Sequence, residues 1–380
     1  MKRLFLVGIA CLVIFEIANV WLVMPLPGSQ RLRSIDVAYA LYGARWAVRA
    51  VCAALILAGL RAAWRAPGRR RWIVPASLAV AAAVVWAANV RMAADHMFRR
   101  PKRLVMAPAA RSTVDPNRLV VGIEIDGDAR AYPLQYLGYH HQVRDSVGGR
   151  PVLVSYCTVC RSGRVFDPIV DGRAETFRLV GMDHWNAMFE DHTTRSWWRQ
   201  ASGAAIVGAR TGATLRELPS RQTTLKLWLA MHPHSLVMQP DSASLKRYAK
   251  NFDYESGASR STLTGTDTVS WREKAWVVGL SLGGEHRAYD WNRLRRERVV
   301  NDVVGGTPVV VAMADDRASF VAFTRPDPET RFALRGDSLV GGGRSYALTG
   351  RGATDALTPV TAYQEFWHSW RTFHPGTTTY

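Results

Sequence analysis

The sequence predicts an α+β fold, mostly antiparallel β with a few helices, built as two homologous repeats and preceded by three transmembrane helices. Three observations support this prediction: long apolar segments before residue 98, alternating apolar patterns with tight turns after residue 118, and an internal repeat. At 380 residues, the chain is also long enough for more than one domain. The predicted units are a membrane region (1–98), a linker (99–117), a first repeat (118–238), a connector (239–275) and a second, degenerate repeat (276–380).

Three apolar segments in the N-terminal third, at about 4–27, 46–64 and 72–90, are predicted to span a membrane. Each approaches the roughly 20 residues with which a helix crosses the hydrocarbon core, and arginines near the segment ends can snorkel. No clean small-x-small cleavage site follows the first segment, which disfavours a cleaved signal peptide. Lys2, Arg3 and the arginine-rich loop 61–71 favour the cytoplasm. The chain after about residue 95 is therefore predicted outside the cytoplasm, although the basic residues directly after the third segment oppose this orientation.

The distribution of charge makes the lipid bilayer the predicted partner. The net charge is +18, but residues 1–103 contain 16 Lys and Arg against Glu16, Asp36 and Asp95, so +13 of it lies there. Basic flanks of membrane segments explain this pattern better than a nucleic-acid-binding face does, and no nucleic acid is predicted as a partner. Within the first segment, Glu16 and Asn19 lie one helical turn apart, which predicts a helix–helix contact rather than a proton path.

An internal repeat aligns residues 120–166 with residues 277–323 without gaps. Both copies contain Val-Val-Gly, Arg-Ala-Tyr and Asp-x-Val-Gly-Gly-x-Pro-Val-x-Val, which are the apolar and turn positions that a shared backbone requires. The second copy differs at three positions: it has Ala314 for Cys157, Arg317 for Cys160 and Glu297 for His140. Candidate ligand or redox residues therefore differ together while the scaffold stays, which places the predicted site in the first copy.

Alternating apolar residues and tight turns predict an antiparallel meander after residue 118. Val121, Ile123 and Ile125 alternate, and a turn at 126–128 leads into the partner strand. These hairpins place both cysteines at a strand end or loop, where they can be reached. Apolar residues at helical spacing predict helices at 223–231 and 361–373, with a short helix at 243–251 in the connector. The first repeat carries 15 extra residues, which are assigned to 180–200.

Cys157 and Cys160 are the only cysteines outside the membrane segments, and their spacing has three interpretations. They could bind a soft or borderline metal ion, zinc or copper, with His140 and His184 completing the ligand shell. They could perform thiol–disulfide chemistry, in which Arg161 favours a thiolate. They could also form a disulfide that only rigidifies a loop, although a short loop gains little entropy from closure.

Polar and aromatic residues near the thiol pair and in the inserted segment complete the candidate site. The predicted catalytic residues are Cys157, Cys160 and Asp191, and the predicted metal ligands are Cys157, Cys160, His140 and His184. The residues predicted to contact a substrate or to support the site are Arg161, Asp183, Asn186 and Trp198. Motifs of the common hydrolase and nucleotide-binding classes are missing from the sequence, so these classes have no support.

Two stretches of the sequence resemble the DUF3179 family of bacterial and archaeal proteins. The first runs from Gly127-Asp-Ala-Arg-Ala-Tyr-Pro-Leu to the segment around Tyr-Cys157-Thr-Val-Cys160-Arg-Ser-Gly, and the second is Trp197-Trp-x-Gln-x-x-Gly-x-Ala-Ile-x-Gly208. Family members commonly have Tyr-Cys-Pro-Leu-Cys-Gly at the cysteine pair, so Thr158, Val159 and Arg161 mark a divergent branch. The resemblance also implies a histidine at the position of His140 and an aspartate at the position of Asp191, since family members usually have these residues there.

The resemblance implies a fold but not a reaction, because no activity is established for the family. Together with the membrane segments, it predicts a protein of the bacterial inner (cytoplasmic) membrane whose C-terminal domain lies on the periplasmic side. The predicted function is a metal-binding or thiol-redox site in that domain. The alternative is a non-catalytic binding or assembly module in which a Cys157–Cys160 disulfide is only structural.

Overall fold

The structure is a computed structural model, and it describes residues 2–32, 34–65, 67–249 and 252–380. The chain divides into two compact units, which are described separately below. Unit 1 comprises Met1–Arg99, Phe177–Arg199 and Ala205–Ala213, and unit 2 comprises Arg100–Thr176, Gln200–Ala204 and Thr214–Tyr380.

The helices and strands over the described residues have the following bounds. The helices are α1 (Lys2–Val23), α2 (Ile35–Trp64), α3 (Ile73–Trp86), α4 (Ala94–Met97), α5 (Leu134–His140), α6 (Leu225–Met231), α7 (Leu245–Tyr248), α8 (Phe252–Ser256), α9 (Trp291–Glu297) and α10 (Trp367–Phe373). The strands are β1 (Met106–Pro108), β2 (Leu119–Ile125), β3 (Asp128–Pro133), β4 (Gln142–Val147), β5 (Arg150–Cys157), β6 (Ser162–Asp167), β7 (Ile169–Val170), β8 (Arg173–Ala174), β9 (Phe177–Asp183), β10 (Asn186–Asp191), β11 (Trp197–Arg199), β12 (Ala205–Val207), β13 (Arg216–Glu217), β14 (Arg221–Thr224), β15 (Leu236–Met238), β16 (Trp276–Leu282), β17 (Glu285–Asp290), β18 (Val299–Val304), β19 (Thr307–Met313), β20 (Phe320–Thr324), β21 (Ala333–Arg335), β22 (Ser338–Gly341), β23 (Arg344–Ala347), β24 (Ala362–Phe366) and β25 (Thr378–Thr379).

Three helical segments of unit 1 are long and apolar enough to cross a membrane: Lys2–Val23, Ile35–Trp64 and Gly68–Arg91. The prediction of three N-terminal membrane helices is therefore confirmed by length and composition, whereas two of the predicted boundaries are wrong. The first helix ends at Val23 rather than near residue 27, because Pro25 and Pro27 cannot continue the backbone hydrogen bonding. The second begins at Ile35 rather than at residue 46, and Asp36 in its first turn suits the positive end of the helix dipole.

A polar cluster joins the three membrane helices of unit 1. Glu16 in α1 is 1% exposed and accepts hydrogen bonds from Arg49 Nε in α2 at 2.6 Å and from Asn89 Nδ2 at 2.8 Å. Arg49 Nη2 also donates to Asn89 Oδ1 at 2.6 Å. The polar group of α1 is thus satisfied by the neighbouring helices, as the predicted helix–helix contact requires, and its partners are Arg49 and Asn89 rather than Asn19.

The second part of unit 1 is an antiparallel sheet in the order β12-β11-β10-β9, which contains the predicted insertion. The sheet packs on the membrane helices through an apolar cluster that includes Ala38, Val180, Met188, Trp197 and Val207. The ring of Tyr39 meets the ring of Trp197 edge-on, with 5.1 Å between centroids. Most of the predicted insertion, residues 180–200, thus lies in a sheet whose apolar face is buried on α2.

Unit 2 consists mainly of antiparallel sheets with short helices, which confirms the predicted α+β class. The two larger sheets of its N-terminal part have the orders β1-β15-β3-β2-β14 and β13-β6-β5-β4. Its C-terminal part contains β24-β16-β17-β25, β18-β19-β20 and β21-β22-β23, and β7-β8 is an isolated hairpin. Strand β1 lies within the predicted linker and pairs with β15. Parallel pairing occurs between β15 and β3 and between β17 and β25.

The same pairing pattern occurs in both parts of unit 2. Val120 pairs with Pro133, and Val277 pairs with Asp290. Each residue of the second pair lies 157 residues after its counterpart in the first pair, which is the offset of the sequence alignment. The clusters within the two patterns also match. Arg130 and Tyr132 bond to Asp145, as Arg287 and Tyr289 bond to Asp302. This agreement is what two homologous repeats would produce, and their common origin stays a prediction.

One pair of glycines shows why both parts have the same local packing. A Cβ on Gly122 would lie 2.3 Å from the ring of Trp228, and a Cβ on Gly279 would lie 2.3 Å from the ring of Trp370. Both tryptophans are almost completely buried. A side chain at either glycine would require a buried indole to move, so the strand must have glycine where the indole covers it.

The predicted helices of unit 2 are shorter than the sequence pattern indicates. Thr223 and Thr224 belong to β14 and pair with Val120 and Leu119, so α6 begins only at Leu225. Residues 362–366 likewise form β24 before α10. β-Branched residues beside a strand edge favour pairing over the first helical turn. In the connector, α7 covers Leu245–Tyr248 of the helix predicted at 243–251, and Lys250 and Asn251 lie outside the described residues.

Candidate functional site

The cysteine pair occupies the hairpin between β5 and β6 in unit 2. Cys157 ends β5 and pairs with Ser162, the first residue of β6, and residues 158–161 form the turn. Arg161 closes the turn with φ 58°, a left-handed conformation that non-glycine residues rarely adopt. The thiols therefore lie at a strand end, as predicted. The expectation that they can be reached is wrong, because Cys157 and Cys160 are both 0% exposed.

The turn is buried because other parts of unit 2 bond to its three backbone carbonyls. Tyr254 Oη donates to Thr158 O at 3.0 Å, and the backbone N–H of Phe366 donates to Cys160 O at 2.8 Å. His368 Nε2 lies 2.9 Å from Val159 O. Since a carbonyl can only accept, this nitrogen carries the proton, and burial lowers the pKa of His368 so that the ring stays neutral. The connector and the C-terminal part thus fix the conformation of the cysteine turn.

Arg161, the last residue of the cysteine turn, carries a buried positive charge. Its side chain is 0% exposed, and it donates to Gln364 Oε1 at 3.0 Å, to Tyr254 O at 3.0 Å and to Glu255 O at 2.8 Å. The guanidinium carbon also lies 3.6 Å from the ring centroid of Trp276, a cation–π contact. Every hydrogen-bond acceptor of this guanidinium is therefore a neutral oxygen.

Two tyrosines lie next to the thiol pair. Tyr156 Oη and Tyr254 Oη are 3.1 Å apart, and both residues are buried. Burial raises the pKa of Tyr156 to about 12 and that of Tyr254 well above its usual value, and the positive charge of Arg161 opposes both shifts. The phenols therefore stay protonated, and since Tyr254 Oη donates to Thr158 O, the Tyr156 hydroxyl donates to Tyr254 Oη.

The predicted metal ligand His140 lies at the end of α5, where its Nε2 is 2.6 Å from Tyr248 Oη. Its backbone neighbour His141 accepts from the N–H of Tyr156 at 2.9 Å, so the helix end abuts the cysteine strand. Over the part of the chain that the structure describes, no three His, Cys, Asp or Glu side chains form a group that could hold a metal ion. The metal site stays a prediction, with the two thiols as its candidate ligands in the turn.

His141 gives a testable acid sensitivity. It is 1% exposed, and burial lowers its pKa to about 4. Between pH 6.5 and 4, the unfolded chain therefore binds a proton that the folded chain does not, and folding stability falls as the pH falls through this window. We expect a loss of about 3 kcal/mol in the free energy of unfolding from this residue. Denaturant titrations of the full chain between pH 7 and pH 4 measure it.

The comparison variant is His141→Asn, because asparagine tolerates the left-handed conformation of this residue, φ 59°. The variant should lose less stability on acidification than the wild type, whatever its stability at pH 7. The exposed His192→Asn serves as the matched control and should leave the difference between pH 7 and pH 4 unchanged. Equal pH dependence of His141→Asn and the wild type would contradict the prediction.

Three predicted residues lie at the β9–β10 hairpin of unit 1. Asp183 pairs with Asn186 across the turn, and His184 and Trp185 between them have φ 50° and 62°. His184 Nδ1 is 2.7 Å from Asp183 Oδ1, and Arg199 forms an ion pair with the same carboxylate. The structure thus brings Asp183, His184 and Asn186 together in one strained turn, which belongs to a different unit from the thiols.

Asp191 and Trp198 also belong to unit 1, where they support a turn. Asp191 accepts hydrogen bonds from Thr194 N at 2.5 Å, Arg195 N at 3.1 Å and Trp198 Nε1 at 2.9 Å. Trp198 is 1% exposed and its ring meets that of Phe177, so it does not line a cleft. A structural role accounts for these contacts, and the predicted catalytic role of Asp191 stays untested.

A buried polar layer next to the cysteine hairpin is not among the features predicted from the sequence. Gln200 Nε2 donates to Ser155 Oγ at 3.2 Å, and Ser162 Oγ donates to Gln200 Oε1 at 2.9 Å. Arg164, 1% exposed, forms an ion pair with the fully buried Glu365. The available signal was the Tyr-Gln-Glu-Phe stretch at 363–366, which places two polar residues in an otherwise apolar strand.

The structure defines a protein with three candidate membrane helices and a β-rich α+β region. The family described as "Protein of unknown function (DUF3179)" matches residues 100–377, and the chain belongs to this family. The resemblance inferred from the sequence motifs is thereby confirmed. No curated protein and no solved structure matches the chain.

Proposed function

We propose that Cys157 and Cys160 form a dithiol–disulfide redox centre in a membrane-anchored, extracytoplasmic domain. One observation carries the proposal: Arg161, in the turn that holds both cysteines, has a buried guanidinium, and all its hydrogen-bond acceptors are neutral. A buried charge is costly without a counter-charge. A thiolate in the cysteine turn supplies that counter-charge, and a positive neighbour favours the thiolate, which is the reactive form of cysteine.

The nearest buried carboxylate does not replace the thiolate in this role. Glu255 accepts from Leu119 N at 3.1 Å and lies 3.7 Å from Arg118 Nη1, so its carboxylate is directed to another arginine. Only its backbone carbonyl bonds to Arg161. Burial also raises the pKa of Glu255, which weakens its contribution of negative charge. The Glu255 carboxylate therefore bonds to other groups, while the charge of Arg161 opposes the effect of burial on its pKa.

Because both thiols are buried, the proposed exchange requires local opening of the cysteine turn. The redox step then balances with an external disulfide as the oxidant. A thiolate of the pair attacks a sulfur of that disulfide, which releases one thiol and leaves a mixed disulfide. The second cysteine then attacks the mixed disulfide, forms the Cys157–Cys160 bond and releases the second thiol. The pair loses two electrons and two protons, and the external disulfide gains them. The buried Tyr156 and Tyr254 hydroxyls stay protonated during this exchange, as their raised pKa values require.

The compartment that we propose suits this chemistry. Three N-terminal helices anchor the domain, and the basic residues at the N-terminus and in the loop 61–71 favour the cytoplasmic face for those parts. From an odd number of spans we infer that residues 100–377 lie on the periplasmic side of the inner membrane. This compartment is oxidising, so a pair of cysteines there is oxidised unless a reductant or a metal acts on it.

The test uses the full chain in detergent with Cys11→Ser and Cys52→Ser, so that the pair supplies its only thiols. The protein is equilibrated in glutathione buffers of graded potential, and the remaining thiols are counted by mass after denaturation and maleimide labelling. We expect both thiols to disappear together in one two-electron transition. In the reduced protein, Arg161→Met should slow alkylation by a small reagent at neutral pH by about tenfold, one pKa unit, and Arg161→Lys should restore it.

Three outcomes would overturn this proposal. Thiols that persist in the most oxidising buffer exclude the redox centre. A disulfide that resists reduction below about −300 mV supports the structural alternative. Stoichiometric zinc or copper in the purified chain, absent from Cys157→Ser/Cys160→Ser, supports the predicted metal site instead.

A further inference from the structure

A cleft in unit 2 is formed by residues from both of its parts. It has a volume of about 470 Å³, and its walls include Ile123, Arg221 and Trp228 from the first part and Arg351 and Val360 from the second. Small-molecule sites have volumes on the order of 300–1,000 Å³, so the cleft is large enough for a small ligand. Neither cysteine of the thiol pair is among the described residues that line it.

Arg221 brings a positive charge into this cleft without a carboxylate partner among the described residues. Its Nη1 donates to Leu348 O at 3.3 Å and lies 3.7 Å from Met231 Sδ, and the ring of Phe323 is 5.5 Å from the guanidinium carbon. Burial lowers the pKa of Arg221, and no neighbouring acid offsets this effect. These contacts use few of the five N–H donors of the side chain.

The remaining charged groups leave the cleft with a net charge of +1. Arg351 is exposed and also lines the cleft. Among the described lining residues, Glu124 supplies the negative charge, and its carboxylate accepts a hydrogen bond from Gly127 N at 2.5 Å. His232 stacks on Trp228 with 4.2 Å between ring centroids, and burial lowers its pKa. Two arginines against one glutamate and one neutral histidine favour a ligand with a single negative charge.

The other walls of the cleft are apolar and hydroxyl-bearing. Trp228, Met231 and Val360 offer apolar surface, and Thr349 and Thr361 offer hydroxyl groups. We propose that the cleft binds a small organic monocarboxylate, with the carboxylate at Arg221 and Arg351 and the hydrocarbon part on the apolar wall. An arginine fork matches a carboxylate through two parallel hydrogen bonds. Inorganic phosphate carries more than one negative charge at neutral pH and has no apolar part, so it suits this cleft less well.

The test is ¹⁹F NMR on the full chain in detergent, with fluoroacetate and 4-fluorobenzoate as probes. We expect at least one probe to show line broadening that saturates with protein concentration. The uncharged 4-fluorobenzamide should show none beyond a detergent blank. Arg221→Gln/Arg351→Gln should weaken binding at least tenfold. The matched control is Arg335→Gln at an exposed position of β21, which removes one positive charge as each of the cleft substitutions does. This variant should bind the probes as the wild type does.

Several results would overturn the proposal. If neither probe bound to the wild type, a general carboxylate site would be excluded. Equal binding to the double variant would place the site elsewhere, and equal binding of the amide would show that charge is not recognised. Displacement of the bound probe by equimolar phosphate would exclude the preference for a monocarboxylate. The Arg221→Gln single variant, with circular dichroism and melting temperature as the folding check, separates lost binding from lost structure.

Discussion

Replacing Arg164 by methionine should lower the free energy of unfolding of the chain by about 3–5 kcal/mol. Arg164 is 1% exposed and forms an ion pair with Glu365, which is 0% exposed, and its Nε lies 3.4 Å from Glu217 Oε1. The ring of Tyr363 covers the guanidinium at 3.6 Å. Methionine fills much of the volume but leaves both carboxylates without their cation, and an unpaired buried charge is what makes such a change costly.

The double variant Arg164→Met/Glu365→Gln tests this physical cause. The amide keeps hydrogen-bonding capacity toward Ser369, whose Oγ donates to Glu365 Oε2 at 2.8 Å, and it removes the uncompensated charge. We therefore expect the double variant to be more stable than Arg164→Met alone. The exposed Arg293→Met, which removes a surface pair with Glu297, is the control and should leave the denaturation midpoint unchanged. Denaturant titration of the full chain provides the comparison, and a double variant as unstable as the single one would contradict the prediction.

The class of fold could be predicted because its signals are local. Apolar runs of about 20 residues with few charges indicate membrane helices wherever they occur. Alternation at Val121, Ile123 and Ile125 and the glycine turns gave the β2–β3 hairpin in its observed register. Helix beginnings were harder, because Thr223 and Thr224 fit a helical spacing as well as a strand. Their pairing with Val120 and Leu119 depends on a strand about 100 residues away.

The candidate site could be predicted only in part, because burial and charge partners are properties of the tertiary structure. The spacing of Cys157 and Cys160 gave the turn correctly. It could not show that Tyr254, Phe366 and His368 from distant segments cover that turn and bond to its carbonyls. Likewise, nothing local distinguishes Arg221, which has no acidic partner among the described residues, from an ordinary surface arginine.

The residues of the insertion illustrate a second limit. Asp183, His184 and Asp191 are candidates because the predicted second repeat has no counterpart of them, and the same is true of any inserted structural element. In unit 1, Asp191 bonds to the backbone N–H groups of its own turn, and Asp183 pairs with Arg199. An insertion that must build its own sheet needs such turn-stabilising carboxylates, whether or not it performs chemistry.

Replacing Arg49 by leucine should destabilise the membrane helices of unit 1 by about 3 kcal/mol, the approximate cost of an unpaired charge at the centre of a membrane helix. Glu16 is 1% exposed and receives two hydrogen bonds from Arg49, at 2.6 and 3.0 Å. Without Arg49, Asn89 Nδ2, at 2.8 Å, is the remaining donor to this carboxylate among the described residues, and a neutral amide does not balance its charge. The melting temperature of the full chain in detergent, with protease resistance of the helical region, measures the loss.

The double variant Glu16→Gln/Arg49→Leu separates charge from packing. If the ion pair matters because each charge compensates the other, removing both should recover most of the lost stability, since glutamine can still bond to Asn89. If Arg49 matters through the volume and shape of its side chain, the double variant should remain as unstable as Arg49→Leu. A variant that changes only packing provides the comparison. Helices α1 and α2 pack closely at Gly59, where a Cβ would lie 2.2 Å from Phe5 N. Gly59→Leu should therefore destabilise the same helices in either background, as a change of packing with no change of charge.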